Sequence, residues 1–283
     1  MPLPRSGPSR RALSGTVGTP AVLLTAIALL LTLSGTAQAQ GEGERLAHPE
    51  KDWMGSTIRA HEGDTRDSSS SRTLAASVEG VDVSSHNGGV PWSTLYKQGV
   101  RFAYVKATEG TSYTNPKFAQ QYNGSYKSGM IRGSYHFALP SNSSGAAQAN
   151  YFVSHGGGWS RDGKTLPGAL DLEYNPYGSA CYGKSAKAMV DWISDFAKTY
   201  RARTSRHMVI YTSTTWWKKC TGNSTKFSAT SPLWIPSWGS SVGSLPGGWP
   251  FQTFWQYTST GNTVGDRNRF NGALSRLKVL ATG

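Results

Sequence analysis

At 283 residues the chain has room for one large domain or two small ones, and its formal net charge of +13 favours anionic partners over cationic ones. It has only two cysteines, Cys181 and Cys220, neither in a C-x-x-C nor with a histidine at ligand spacing, which argues against a metal site built on them. The charge is uneven. Residues 79–283 carry 21 Lys and Arg against 9 acids, a net of +12, whereas residues 40–78 are slightly acidic. A basic domain of this kind suits nucleic acid, acidic polysaccharide or a phosphate-rich wall, with plain solubility as the alternative.

Taken in chain order, residues 1–39 read as a secretory signal peptide. Arg5, Arg10 and Arg11 form a basic head, an apolar run spans positions 21–33, and Ala37-Gln38-Ala39 follows as a small-residue cleavage site. The run is shorter than the roughly 20 residues needed to cross a bilayer, so no membrane anchor is expected after cleavage. Export provides an oxidising compartment in which Cys181 and Cys220 can join, two buried free thiols being the alternative. Residues 40–78 are polar and read as a propeptide or linker, although Trp53, Met54 and Ile58 could dock on the following domain.

Residues 79–283 form the expected catalytic domain. Short β-rich segments fall at 80–84, 102–106, 132–137, 168–173, 207–212, 233–235, 251–257 and 264–270. Helical stretches separate the first five, at 92–98, 116–128, 146–155 and 184–201. In the last of these, Met189, Trp192, Ile193, Phe196 and Tyr200 make one apolar stripe at helical spacing. A short "STTWWKK" follows the fifth strand, and loops alone join the last three. Strand–helix alternation predicts an α/β fold with a parallel sheet, and eight strands predict closure into an irregular (β/α) barrel resembling a TIM barrel, its late helices missing.

Functional groups of such barrels gather at the C-terminal strand ends. Asp82 lies in the first strand, Tyr135 and His136 end the third, and Asp171 and Glu173 end the fourth in "GALDLEYN". Trp255 and Tyr257 lie in the seventh, and Asp266 in the eighth. Residues i and i+2 of a strand share a face, so Asp171 and Glu173 project side by side and raise each other's pKa. Glycoside hydrolysis needs a carboxyl protonated near neutrality and a second group facing the oxocarbenium-like centre. Aromatic faces supply platforms for sugar rings. The backbone spacing of the pair, roughly 6.5–7 Å, lies between the two standard carboxyl separations and leaves the stereochemistry open. A metal reading is weaker, since neither an acidic calcium loop nor H-E-x-x-H occurs. His86 and His136 are candidate polar supports at the rim, while His155 and His207 read as structural or surface groups.

In order along residues 80–271, "GVDVSSHN", "FAYVKATEGTSYTNPKF", "GSYHFA", "ALDLEYN", "YTSTTWW", "FWQYTSTGNTVGD" and "RFNG" together resemble the family 25 glycoside hydrolases, the Chalaropsis-type lysozymes or N-acetylmuramidases, in a secreted bacterial form. The resemblance implies an irregular barrel, a Cys181–Cys220 disulfide found in some members, and hydrolysis of the β-1,4 bond between N-acetylmuramic acid and N-acetylglucosamine in peptidoglycan, with some members accepting O-acetylated glycan. It implies Glu173 as general acid and Asp171 as the carboxylate that orients the substrate's 2-acetamido group. Asp82 and Asp266 complete the site, Tyr135, Trp255 and Tyr257 contact sugar, and Lys106 and Glu109 form an ion pair supporting the rim. Pro236 and Trp238 stand where relatives often carry Ala and Tyr. No metal or cofactor is called for. Retention and inversion both stay open.

Rival readings are a catalytically inactive wall-binding barrel, a basic nuclease, and a chitinase-like glycosidase. The last needs aspartates at 166 and 169, where Leu166 and Ala169 stand. The expectation is therefore a secreted, extracellular, monomeric lysozyme whose partner is cell-wall peptidoglycan, with anionic wall polymers as possible further contacts and no nucleic acid.

Overall fold

A computed structural model describes residues 46–63, 76–259 and 264–283. The proposed signal peptide lies outside the described residues. Among them no helix is long and apolar enough to cross a membrane.

Eight strands close into a barrel: β1 (Ser77–Val83), β2 (Phe102–Glu109), β4 (Ile131–Phe137), β5 (Ala169–Asp171), β6 (Val209–Tyr211), β7 (Leu233–Pro236), β8 (Phe254–Thr258) and β9 (Asp266–Asn271). The two-residue strand β3 (Tyr113–Thr114) pairs only with β2. From β1 to β8 the neighbours are parallel. The last strand departs from the parallel expectation: β9 is antiparallel to both β8 and β1. The reason lies in the connection. A parallel return needs a crossover of a dozen or more residues, and the short link after Thr258 allows only a reversal.

The helices are α1 (Ser56–Glu62), α2 (Trp92–Lys97), α3 (Phe118–Lys127), α4 (Gly145–Phe152), α5 (Ala186–Thr204), α6 (Thr214–Thr221) and α7 (Leu274–Thr282). The apolar stripe of α5 is buried as its spacing predicts, Met189, Ile193, Phe196 and Tyr200 completely so. Each such side chain contributes roughly 1.5–3 kcal/mol of burial. Ser185 caps the helix by accepting the Ala188 N–H. Both α1 and α7 fall where no helix was expected, α7 packing Leu277 and Ala281 against the core.

All eight residues of β2 are buried, because a closed barrel wrapped by helices covers both faces of a strand. Inside, Phe102, Tyr104, Trp234, Phe254 and Phe270 fill the lower part of the barrel, with ring centroids 4.8–5.5 Å apart for the Tyr104–Trp234 and Trp234–Phe254 pairs. Gly133 faces this packing: a Cβ there would stand 2.3 Å from the Tyr104 ring. Below is therefore aromatic core, and the inward-facing carboxylates lie above it at the open end.

Candidate active site

The parallel strands all end at one rim, and β9 begins there because it runs the other way. Reversal is what brings Asp266 to the rim at the start of its strand, as the register partner of Asp82. Asp82, Asp171, Glu173 and Asp266 are all buried. The four predicted carboxylates therefore do meet.

Their surroundings differ. The Asp82 Oδ2 accepts from Asn268 Nδ2 at 2.7 Å and from Gln256 Nε2 at 3.0 Å. Gln256 Oε1 in turn accepts from the Tyr211 hydroxyl at 2.8 Å. Burial pushes the Asp82 pKa up to about 7 against the pull of those two amides, with the Glu173 charge adding to the rise. Burial, then the charge of Asp82, raises Asp266 well above the ordinary carboxylate range, while Arg59 opposes it. Burial is also the main cause for Asp171, followed by the Glu173 charge. No N–H or hydroxyl donor of the described residues meets either Asp171 oxygen in hydrogen-bonding geometry. Glu173 is raised by burial too, but four donors bond to it and work against that rise.

Those donors come from residues 46–63, the segment expected to be a propeptide or linker. Gly55 N donates to Glu173 Oε1 at 2.7 Å. Thr57 N and Oγ1 donate to Oε2 at 2.7 and 2.6 Å, and Ile58 N to the same oxygen at 3.1 Å. Met54, fully buried, donates its N–H to the Tyr135 hydroxyl at 3.2 Å and accepts at its carbonyl from Gln256 Nε2, also at 3.2 Å. Sequence reading raised the docking of Trp53, Met54 and Ile58 but gave the segment no chemistry. Its seating was hidden because it depends on hydrogen bonds to residues 54 to 202 positions away along the chain.

Lys106 and Glu109 pair as the resemblance implied, Nζ to Oε2 at 2.5 Å with both side chains fully buried. Positions i and i+3 of a regular strand face opposite sides. Here a bulge in β2, between Lys106 and Thr108, resets the alternation and turns both inward. Lys106 Nζ also donates to the carbonyls of Pro49, at 3.0 Å, and Asp52. Burial lifts the Glu109 pKa to about 8, with Lys106 pulling against it.

Trp255 and Tyr257 do not face the carboxylates. Alternation along β8 gives the inward position to Gln256, which lies between them. Trp255 Nε1 donates to Ser237 O at 2.8 Å, and the Tyr257 hydroxyl donates to Glu79 Oε2 at 2.6 Å. Arg269 covers both rings on the outer wall, at 5.7 and 4.0 Å from their centroids. Tyr135 is the one predicted sugar-contacting aromatic that faces the acids.

His136 also departs from expectation. It points outward from β4, its Nδ1 bonded to Thr108 Oγ1 at 2.7 Å and its Nε2 to Gln148 Oε1 at 2.9 Å. Burial pushes its pKa down to about 4, so it is a neutral structural group between sheet and α4. His86 stays at the rim and stacks on Trp53, with centroids 4.3 Å apart. His155 bonds the Tyr151 carbonyl through Nδ1, and the His207 pKa is lowered by partial burial, as suits structural or surface groups. Trp238 lies beside the segment, with Arg59 6.0 Å from its ring centroid.

Gln256, Asn268 and Tyr211 are the polar site residues that sequence reading missed. Period-two alternation from Asp266 and outward from the Trp255/Tyr257 pair would have pointed to Asn268 and Gln256. The Cys181–Cys220 disulfide is formed, with Cα atoms 5.3 Å apart, tying the loop after β5 to α6. Among the described residues no group of three or more His, Cys, Asp or Glu is arranged to hold a metal ion.

This geometry agrees with comparison to known proteins. The chain is 46% identical over 272 residues to lysozyme M1 of Streptomyces globisporus, covering 91% of this chain and 92% of that one. It is 50% identical over 210 residues to the N,O-diacetylmuramidase of Chalaropsis sp, which is covered completely by 73% of this chain. The solved muramidase of Acremonium alcalophilum superposes with a TM-score of 0.72 at 56% identity, 73% of this chain covering 99% of it. The model of the glycosyl hydrolases family 25 matches residues 81–266, and the chain belongs to that family.

Proposed function

We propose that the chain is a peptidoglycan-hydrolysing lysozyme that cuts the β-1,4 bond between N-acetylmuramic acid and N-acetylglucosamine. Family membership and the names of its relatives support the activity. The observation that carries the division of labour is that no N–H or hydroxyl of the barrel meets either oxygen of the buried Asp171, while the donors on Glu173 all belong to residues 46–63 and leave with that segment. A buried acceptor without donors is costly unless its partner arrives with the substrate. An acetamido N–H fits that need.

In this reading Glu173, freed of the segment, holds a proton and delivers it to the departing glycosidic oxygen. Asp171 accepts the N–H of the 2-acetamido group and orients it. Asp82 and Asp266 complete the site and tune its charge: where Asp82 ionises, above about pH 7, its charge helps Glu173 to retain its proton. Tyr135 packs beside the reacting ring. Lys106 and Glu109 hold the rim. The protein is exported by residues 1–39 and acts as an extracellular monomer, and its basic domain draws it to anionic wall polymers.

The test is mass spectrometry of peptidoglycan digested by residues 77–283. Fragments with new reducing N-acetylmuramic ends are expected, and Glu173→Gln should slow their release by on the order of 10²–10⁴-fold, the range of general acid catalysis. New amino groups without reducing ends would identify a peptidase or amidase instead. Near-parental turnover in the Gln variant would remove Glu173 from its role. Wall binding that does not weaken in high salt would remove charge as the targeting device.

A further inference from the structure

Residues 46–63 occupy the rim from side to side. Beyond the bonds to Glu173, Tyr135, Gln256 and Lys106, Trp53 stacks on His86 after β1, and Arg59 bonds Ser259 after β8. His61 stacks on Tyr174, with centroids 4.2 Å apart, and Glu62 accepts from Tyr174, at 3.0 Å, and Ser213, at 2.5 Å. The Tyr177 hydroxyl bridges Asp52 Oδ2 and Glu109 Oε1. Met54 and Ile58 are buried at 0 and 2% exposure where a sugar ring would have to lie.

We propose that residues 46–63 are a built-in inhibitor of the cleft, holding the attached chain latent until the segment is separated from the barrel. This rests on the muramidase reading of the site. Obstruction is the first part of the block. The second is chemical: four donors converge on Glu173 and none on Asp171, so hydrogen bonding favours the ionised form of the residue that must carry the proton. In the seated state the proton of the pair rests on Asp171, the reverse of the catalytic arrangement.

The segment is made for this seat. Gly55 has φ +94°, and a Cβ there would stand 2.7 Å from the Tyr211 hydroxyl and 2.8 Å from Gln256 Oε1. Any larger residue is therefore strained and obstructed at the point of closest approach. The barrel is expected to fold without the segment, since the Acremonium and Chalaropsis relatives are covered at 99 and 100% by 73% of this chain, about the length of residues 77–283. Tethering sets the strength. A short linker gives an effective concentration on the order of 1 mM, so a free peptide binding with a Kd of about 10 µM corresponds to roughly hundredfold latency in the attached chain.

The experiment compares residues 40–283 with residues 77–283 on purified peptidoglycan and titrates a synthetic 46–63 peptide into the shorter protein by calorimetry. The expected results are a rate at least tenfold lower for the longer chain, competitive inhibition by the peptide, and no binding by a peptide carrying Gly55→Leu. Within the longer chain, Gly55→Leu and Thr57→Val should each raise the rate, leaving every barrel residue intact. Equal rates for the two lengths, or a peptide that does not bind, overturn the proposal. An inactive 77–283 protein would instead count against the muramidase reading, while calorimetry still decides whether the segment binds the cleft.

Discussion

Asp82→Asn in the chain 40–283 separates the cost of a buried charge from its use. The Asp82 carboxyl has a pKa near 7 in the fold against 3.8 as the ordinary value, a rise of roughly 3 units. At about 1.4 kcal/mol per unit, the ionised form costs the folded state about 4 kcal/mol. The sign follows from proton binding: between pH 4 and pH 7 the folded chain holds this proton more tightly than the unfolded chain. Stability from Asp82 is therefore complete below pH 4 and lost as pH rises to 7. Asparagine has no charge to lose, and its carbonyl can accept from Asn268 and Gln256 as Oδ2 does. Allowing about 1 kcal/mol for the weaker neutral bonds, the variant should be about 2–4 kcal/mol more stable than the parent at pH 8.5. The two should be nearly equal at pH 4. Urea unfolding of both proteins at the two pH values measures this difference, to which relief of the Asp82 charge on Asp266 and Asp171 adds in the same direction at pH 8.5. A gap that is the same at both pH values, or a variant weaker at pH 8.5, refutes the reasoning. Turnover of the variant should fall, since its charge belongs to the site.

Two further predictions follow from particular contacts. Removing the disulfide in the Cys181→Ala/Cys220→Ala double variant opens a loop of 39 residues, which in the chain-entropy model lowers stability by about 4 kcal/mol, read from chemical unfolding; an unchanged midpoint would contradict that model here. In the 77–283 protein, Tyr135→Phe should reduce kcat/KM by more than tenfold, whereas Trp255→Phe, on the outer wall, should leave kcat/KM within about twofold and affect only the melting temperature, the loss being at the level of one hydrogen bond. The opposite pattern would restore Trp255 to the substrate face.

Much of the molecule is legible along the chain. The stripe of α5, the eight β-rich segments and the i, i+2 spacing of Asp171 and Glu173 are all periodicities of backbone geometry, so they survive without knowledge of the partners. The bulge in β2 was not legible, because "KATEG" carries no mark of the pairing that places Lys106 opposite Tyr135 and Thr108 opposite His136. The outward direction of Trp255, Tyr257 and His136 follows from alternation, but only once an inward reference residue is known.

Sequence by itself determined which residue types are available at the rim and on which strands they ride, because period and spacing are local properties. It also determined the family, through seven ordered motifs. The short link after Thr258 limits β9 to a reversal, but tertiary structure alone decided that β9 pairs with both β8 and β1 and so sets Asp266, its first residue, opposite Asp82. It alone decided that a polar stretch before the barrel lies across the cleft on Glu173. Gly55 and Glu173 are 118 positions apart. Nothing local links them, and only the closed barrel brings their donor and acceptor within hydrogen-bonding distance.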